Sequence, residues 1–267
     1  MTTRISRPTT NWRDDGWNTT ARIGVVVPHA DVGPESELRA MLPDHLSVHA
    51  ARLHFGAMRA GGEMDPKIPH DPVRAFVEPP HLDNCVRELA ESPLDAIACA
   101  FTSSAYKVGP AGEHALVDRL AEHTRGMPVT TTCLAAEQAI NTLGVDKLAL
   151  VNPPWFDEEL DSLGAAYFTA LGVDVVHHAP CGLPSGQPHI NPPALYDWVR
   201  RIAGNATGVF VGGNGLRAVG VIDALEELLD IPVLTANQVL LWHAMELTGA
   251  AVARPGYGKL MNLHTTT

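Results

Sequence analysis

Residues 126–144, GMPVTTTCLAAEQAINTLG, decide the fold, because the pattern returns near the end of the chain as residues 230–249, DIPVLTANQVLLWHAMELTG. Both stretches place Pro-Val before a Thr-bearing strand end, then a helix containing Gln, then a Gly stop. A second echo flanks the first: LDAIACAFTSS (94–104) is answered by ATGVFVGGNG (206–215). Repetition at this length points to two similar α/β halves rather than a short-period solenoid.

The rest of the chain fits that reading. Short apolar runs of the kind that fill buried strands occur at RIGVVVP (22–28), LSVHAARLHF (46–55), LDAIACAF (94–101), MPVTTT (127–132), KLALVNP (147–153), GVDVVHH (172–178), ATGVFVGG (206–213) and IPVLTAN (231–237). Helix-like segments separate them at 34–42, 82–91, 113–123, 134–143, 157–171, 193–203, 219–229 and 238–247. Buried strands alternating with helices imply parallel sheets with right-handed crossovers. The expected architecture is therefore α/β, with two pseudo-symmetric halves, each a short parallel sheet flanked by helices, and an active cleft between them. Residues 22–130 with 236–267 form the expected first half and residues 131–235 the second. Residues 1–21 read as an arm, whose Trp12 and Trp17 would suit docking on a partner subunit, so a homo-oligomer is expected. Two Pro-rich connections, 61–81 and 180–193, occupy matching places in the halves; the first reads either as a lid or as a plain surface insertion.

Composition narrows the function. The 267 residues carry a net charge of −11 and are 45% hydrophobic. A nucleic-acid binder needs a basic face, so nucleic acid is not an expected partner. No apolar run is long enough to span a bilayer, and the N-terminus lacks the apolar core of a secretory signal. Cys85, Cys99, Cys133 and Cys181 are scattered without C-x-x-C spacing, which fits a reducing cytoplasm. No His or Cys spacing suggests a metal. Gly212–Gly215 is not a dinucleotide fingerprint, so no cofactor is expected and the partner is a small-molecule substrate.

Four strand ends are candidates for its site. After the first strand, Asp31 and His29 occupy a turn before a helix; Asp31 reads either as a cap or turn residue or as an acid/base group. After the third, Phe101 precedes the hydroxyls of Thr102, Ser103, Ser104 and Tyr106. After the fifth come Trp155 and Phe156, suited to packing or to stacking on substrate. After the seventh, Gly213, Asn214 and Gly215 let backbone approach a ligand.

These strand ends together resemble the aspartate/glutamate racemase superfamily, within it the maleate cis-trans isomerase and arylmalonate decarboxylase branch, over about residues 22–249. The segments that carry the resemblance are GLRAVGVIDALEELLDIPVLTANQVLLWHAM (215–245), RIGVVVPHADVGPESEL (22–38) and FTSS (101–104). The resemblance implies a cofactor-free site between two halves, with one cysteine from each half facing the substrate and hydroxyls and N–H groups holding carboxylate oxygens. Set against that pattern, the first thiol position falls on Phe101 and the second on Gly213; Asp31 replaces an asparagine, and Trp155 a tyrosine. Thr102, Ser103 and the Asn237-Gln238 pair match.

Two-thiol racemisation is then unavailable, and covalent addition would need Cys99 or Cys133 to have taken over. The expected enzyme is an isomerase or lyase working through an enolate-like intermediate by isomerisation, decarboxylation or hydration/dehydration. Asp31, with His29 or Tyr106, serves as acid/base. Phe101, Thr102, Ser103, Ser104, Trp155, Gly213, Asn214, Gly215 and Asn237 line the substrate. The alternative is a non-catalytic protein on the same fold that binds a small acid.

Overall fold

Strands covered on both faces have no polar side to show, which is why the central ones read as unbroken apolar runs. In the computed structural model, which describes residues 13 and 15–263, β1 (Ala21–Pro28), β2 (Leu46–Leu53), β3 (Ala96–Cys99) and β4 (Val129–Thr131) form one parallel sheet in the order β2-β1-β3-β4. The second sheet holds β5 (Lys147–Asn152), β6 (Asp174–Pro180), β7 (Gly208–Val211) and β8 (Val233–Thr235) in the order β6-β5-β7-β8. The order is the same in both, so the echo in the sequence is an echo of topology. β3 and β7 are buried throughout, whereas the edge strands β2 and β6 are mostly half-buried or exposed.

The crossovers are α1 (Gly33–Met41), α2 (His70–Ala75), α3 (His81–Leu89), α4 (Ser103–Ala121), α5 (Thr132–Leu143), α6 (Glu158–Ala170), α7 (Pro192–Ile202), α8 (Ile222–Leu229) and α9 (Ala236–Thr248), followed by α10 (Gly258–Met261). The repeated stretches become β4–α5 and β8–α9. Each helix ends at a glycine in the left-handed region, Gly144 and Gly249, where no Cβ opposes a positive φ. At the start of α9, Thr235 and Gln238 form a reciprocal capping box. α5 and α9 pack on each other, and α9 also lies against β1, β3 and β4 of the first sheet.

Three departures from the sequence reading matter for the site. The helix expected over 113–123 starts ten residues earlier, so the hydroxyl-rich stretch is a helical turn, not a loop. Gly109 (φ 71°) interrupts α4 before Pro110. A proline disfavours helical geometry in its predecessor, and the resulting Gly-Pro break hid the helical turn before it. The connection 61–81 is anchored rather than a plain insertion. Lys67 Nζ donates to the carbonyls of Pro154 and Phe156 at 2.9 and 2.6 Å, and Ile68 N–H donates to Trp155 O at 2.9 Å. Ser185 Oγ ties the second long connection to Pro66 O. Most of the expected arm lies outside the described residues, Trp12 included; Trp17 is exposed, and its carbonyl accepts from Arg22.

Tyr106 is the third departure. It is buried among Phe156, Tyr167 and Phe168, and its ring lies so close to α6 that a Cβ at Gly164 would sit 2.6 Å from it. Replacing a mid-helix glycine by alanine gains about 1 kcal/mol of helix propensity, but overpacking a rigid core costs about 1–3 kcal/mol. Gly164→Ala is therefore expected to lower stability by up to about 2 kcal/mol, measurable as a reduced urea midpoint at unchanged m.

Candidate active site

In an open α/β sheet, ligands bind beyond the carboxyl ends of adjacent strands whose crossovers diverge. Here those strands are β1 and β3 in one sheet, β5 and β7 in the other. Their ends enclose a chamber of about 60 Å³. Asp31 enters after β1, Phe101 to Ser104 after β3, Trp155 and Phe156 after β5, and Gly213 to Gly215 after β7. Met58 and, from the anchored connection, Met64, Ile68 and Phe76 line its other side. Gln187, from the second long connection, completes the wall.

Nine of the twelve expected site residues thus meet at one chamber: Asp31, Phe101, Thr102, Ser103, Ser104, Trp155, Gly213, Asn214 and Gly215. Three do not line it. His29 anchors the end of β1 instead: its Nδ1 accepts from Phe55 N–H at 3.1 Å, and its ring stacks on His54. Desolvation, His54 and Arg52 all lower its pKa. Tyr106 lies behind the wall, its hydroxyl donating to Asn152 Oδ1 at 3.3 Å, and burial raises its pKa well above the ordinary value. Asn152 Nδ2 in turn donates to Asp161, which pairs with His178 at 2.6 Å. Asn237 is fully buried one layer back.

Asn237 belongs to a hydrogen-bond chain whose direction is fixed at one end. Glu37 Oε1 accepts from the N–H groups of Ala218 and Val219 at 2.7 and 3.0 Å, and its Oε2 accepts from Asn237 Nδ2 at 2.8 Å. Asn237 Oδ1 is then turned to accept from Asn214 Nδ2 at 2.9 Å. Asn214 Oδ1 consequently faces Thr102 and Thr132, whose hydroxyls donate to it at 2.9 and 3.2 Å. Thr102 Oγ1 also accepts from Gly213 N–H at 3.1 Å. Thr102 was expected to donate to substrate, but its proton is engaged. Ser104 is similar: its hydroxyl donates to Val73 O at 2.7 Å. Ser103, half-buried at the start of α4, is the chamber hydroxyl without a protein partner among the described residues.

Asp31 combines the two roles weighed for it. Its Oδ1 accepts from Gly33 N–H at 2.7 Å, an Asx-turn that starts α1. Its other oxygen looks toward Gly215 and Gln187; a Cβ on Gly215 would lie 3.0 Å from Oδ2. Burial raises its pKa to about 6, against donation from Gly33 and Gln187 and the nearby charge of Arg52. Arg52 does not neutralise the carboxylate directly. It donates to the carbonyls of Asp31 and His29 and pairs with Glu35.

The two positions set against family thiols differ physically. Phe101 lines the chamber and packs edge-on against Phe76 at 5.4 Å. Gly213 has φ 86°, and a Cβ there would sit 2.1 Å from Pro153 Cγ, so this backbone has no room for a side chain. Neither Cys99 nor Cys133 lines the chamber. Both are fully buried, and desolvation pushes both thiols well up from their ordinary value.

Comparison with known proteins places the chain among relatives of the same fold. A family model described as arylmalonate decarboxylase matches residues 23–261. The chain is 26% identical over 249 residues to the arylmalonate decarboxylase of Bordetella bronchiseptica, covering 91% of this chain and 97% of that protein. It is 23% identical over 257 residues to the maleate isomerase of Geobacillus stearothermophilus, covering 90% and 97%. Among solved structures, a maleate cis-trans isomerase of Nocardia farcinica holding a covalently bound succinylcysteine intermediate superposes with TM-score 0.80 at 21% identity, over 92% of this chain and 99% of that one.

Two measurements check the site. Glu37→Gln keeps the shape but brings an amide NH2 against the NH2 of Asn237. The resulting unmatched donor is expected to cost about 1–3 kcal/mol, read as a lower melting temperature. Asp31→Asn acts in the opposite direction. A raised carboxyl pKa means that the folded protein holds the proton more tightly than the unfolded chain does. Ionisation then costs nothing below about pH 4, progressively more up to about pH 6, and its full amount above. The asparagine variant is expected to be more stable by up to about 3 kcal/mol at pH 8, with the gap closing toward pH 4 in parallel denaturation curves.

Proposed function

Since the chain belongs to the arylmalonate decarboxylase family, and is thereby an enzyme of the isomerase/lyase kind, we propose that it removes carbon dioxide from a small 2-substituted malonic acid, with Asp31 supplying the proton. Thiol chemistry is replaced, in this reading, by carboxyl chemistry. The observation that carries it is the distribution of charge in the chamber: one carboxyl of raised pKa, no cationic side chain among the described lining residues, and walls divided between hydrogen-bonding groups and hydrocarbon.

One carboxylate of the substrate is held by Ser103 and by the backbone around Asn214 and Gly215. The other is left against Met58, Met64, Ile68, Phe76 and Phe101, where a charge finds hydrocarbon and no counter-ion. Loss as carbon dioxide removes that charge. The carbon–carbon bond breaks, its electron pair remains on the α-carbon, and the enolate so formed spreads its charge onto the oxygens held by the donors. A dianionic substrate beside Asp31 raises the pKa of the aspartic acid further, so Asp31 meets the reaction protonated. It passes the proton to the α-carbon and recovers one from water.

The relatives give no support to a binding protein without activity. The test is decarboxylation of 2-phenylmalonate and 2-methylmalonate in heavy water, followed by NMR. Carbon dioxide release with one deuterium at the α-carbon is expected. Asp31→Asn should lose about 10²–10⁴-fold in turnover, the scale of general acid catalysis. Because Asp31 acts as an acid, kcat/KM should fall as pH rises through about 6. A kcat/KM that rises there instead, with α-proton exchange and no carbon dioxide, would identify Asp31 as a base in an isomerase.

A further inference from the structure

Gly215 does not stand at positive φ, so its backbone conformation does not call for glycine. Its surroundings do. A Cβ there would lie 2.2 Å from Nε2 of Gln187 and 3.0 Å from Oδ2 of Asp31. The space left by the missing side chain is where amide and carboxyl meet, and the amide donates to Asp31. The turn that carries Gln187 is itself held in place. Gly186 reverses the chain at φ 100°, Ile190 N–H donates to Gln187 O at 3.2 Å to close the short helical turn Gln187–His189, and Arg217 from the β7 turn donates to Ile190 O at 3.3 Å. Ser185 Oγ ties the same connection to Pro66 O at 2.9 Å.

We propose that Gln187 is a positioning residue whose amide fixes which oxygen of Asp31 carries the proton and aims that proton into the chamber. Oδ1 already accepts from Gly33 N–H at 2.7 Å, so the acid proton belongs on Oδ2. An NH2 group donating to Oδ2 takes one lone pair of that oxygen and leaves the other, on the chamber side, for the proton. The amide turned the other way would do the reverse: its carbonyl would accept the acid proton and hold it back from the α-carbon. When the O–H bond breaks and the proton passes to the α-carbon, the bonding pair stays on Oδ2. The same N–H then donates to the carboxylate until water restores the proton. The charged groups nearby are engaged elsewhere. Arg52 and Glu35 pair with each other, Glu37 accepts from Ala218, Val219 and Asn237, and the exposed Arg217 is turned to Ile190. Gln187 is the side chain that donates to the carboxyl. This role rests on the reading of Asp31 as the proton donor.

Two variants of opposite sign separate the levels. Gln187→Met keeps the length and removes the donor, whereas Gln187→Lys brings an ammonium to the same place. The carboxyl carbon of Asp31 is titrated by NMR in the parent and both variants, beside the kcat/KM profile for 2-phenylmalonate. One hydrogen bond to a carboxylate is worth about tenfold in its ionisation. The methionine variant should therefore titrate about one pH unit above the parent's value of about 6, and the lysine variant below it. The falling limb of kcat/KM should follow both shifts. On the low-pH plateau, where Asp31 is protonated throughout, the methionine variant should still lose about tenfold in kcat, because its proton is no longer aimed. A merely structural role would move both variants the same way. Carbon titrations that stay put or move together, or an undiminished methionine plateau, overturn the positioning role and leave Asp31 as the acid. Carbon titrations that move apart while the kcat/KM limb stays fixed overturn Asp31 as the proton donor, and the proposal with it.

Discussion

The Glu37 carboxyl, both of whose oxygens accept, sets the direction of a hydrogen-bond chain on which the chamber depends. A carboxylate can only accept, so every amide and hydroxyl downstream has one orientation: Asn237 donates to Glu37, Asn214 donates to Asn237, and Thr102 and Thr132 donate to Asn214. The chain begins on α1, passes through α9 and the β7 turn, and ends on the β3 turn and α5, so it joins elements on both sides of the chamber. Beyond the half-buried Glu37, the steps through Asn237, Asn214, Thr102 and Thr132 are buried, where an unmatched polar group costs about 1–3 kcal/mol. The arrangement is therefore all-or-none: one reversed amide would leave unmatched donors at several strand ends together.

That rigidity explains the sparing use of donors. Thr102 and the N–H of Gly213 are committed to each other and to Asn214, and Ser104 is committed to Val73. The chamber thus keeps its shape without ligand, and Ser103 with nearby backbone is left to meet one. The same immobility surrounds Gly213, held at positive φ against Pro153. A side chain at this turn would require both the glycine geometry and the proline to change, so acid/base chemistry supplied from β1 leaves the β7 turn intact.

Much of this was legible in the sequence, for a definable reason. Strand-end positions announce themselves because buried parallel strands are apolar and the first polar residues beyond them are conspicuous; Asp31, Thr102, Ser103 and Asn214 were found that way. Gln187 was not, because it lies in a Pro- and Gly-rich connection with no periodicity to place it. Glu37 was hidden differently: on α1 it reads as one more acidic surface residue, and only the packing of α1 against α9 brings it to Asn237. His29 and Tyr106 were misplaced by proximity in sequence. Two residues from Asp31, the His29 ring turns to Phe55; four residues from Thr102, one helical turn on, Tyr106 points into the core.

The electrostatics of Asp31 follow from the same packing. A turn aspartate exposed to water would keep an ordinary pKa and be useless as a proton donor near neutrality. Burial behind Gln187 and the anchored connection raises it to about 6, while Gly33 and Gln187 stop it rising further. Removing the cover would return the group to water and lower its pKa; tightening it without the two donors would raise the pKa and strand the proton. The burial of Asp31 and the acidity of that carboxyl are therefore a single property. On the proposed reading, the segment that covers Asp31 is what would let it exchange a proton with a carbon acid.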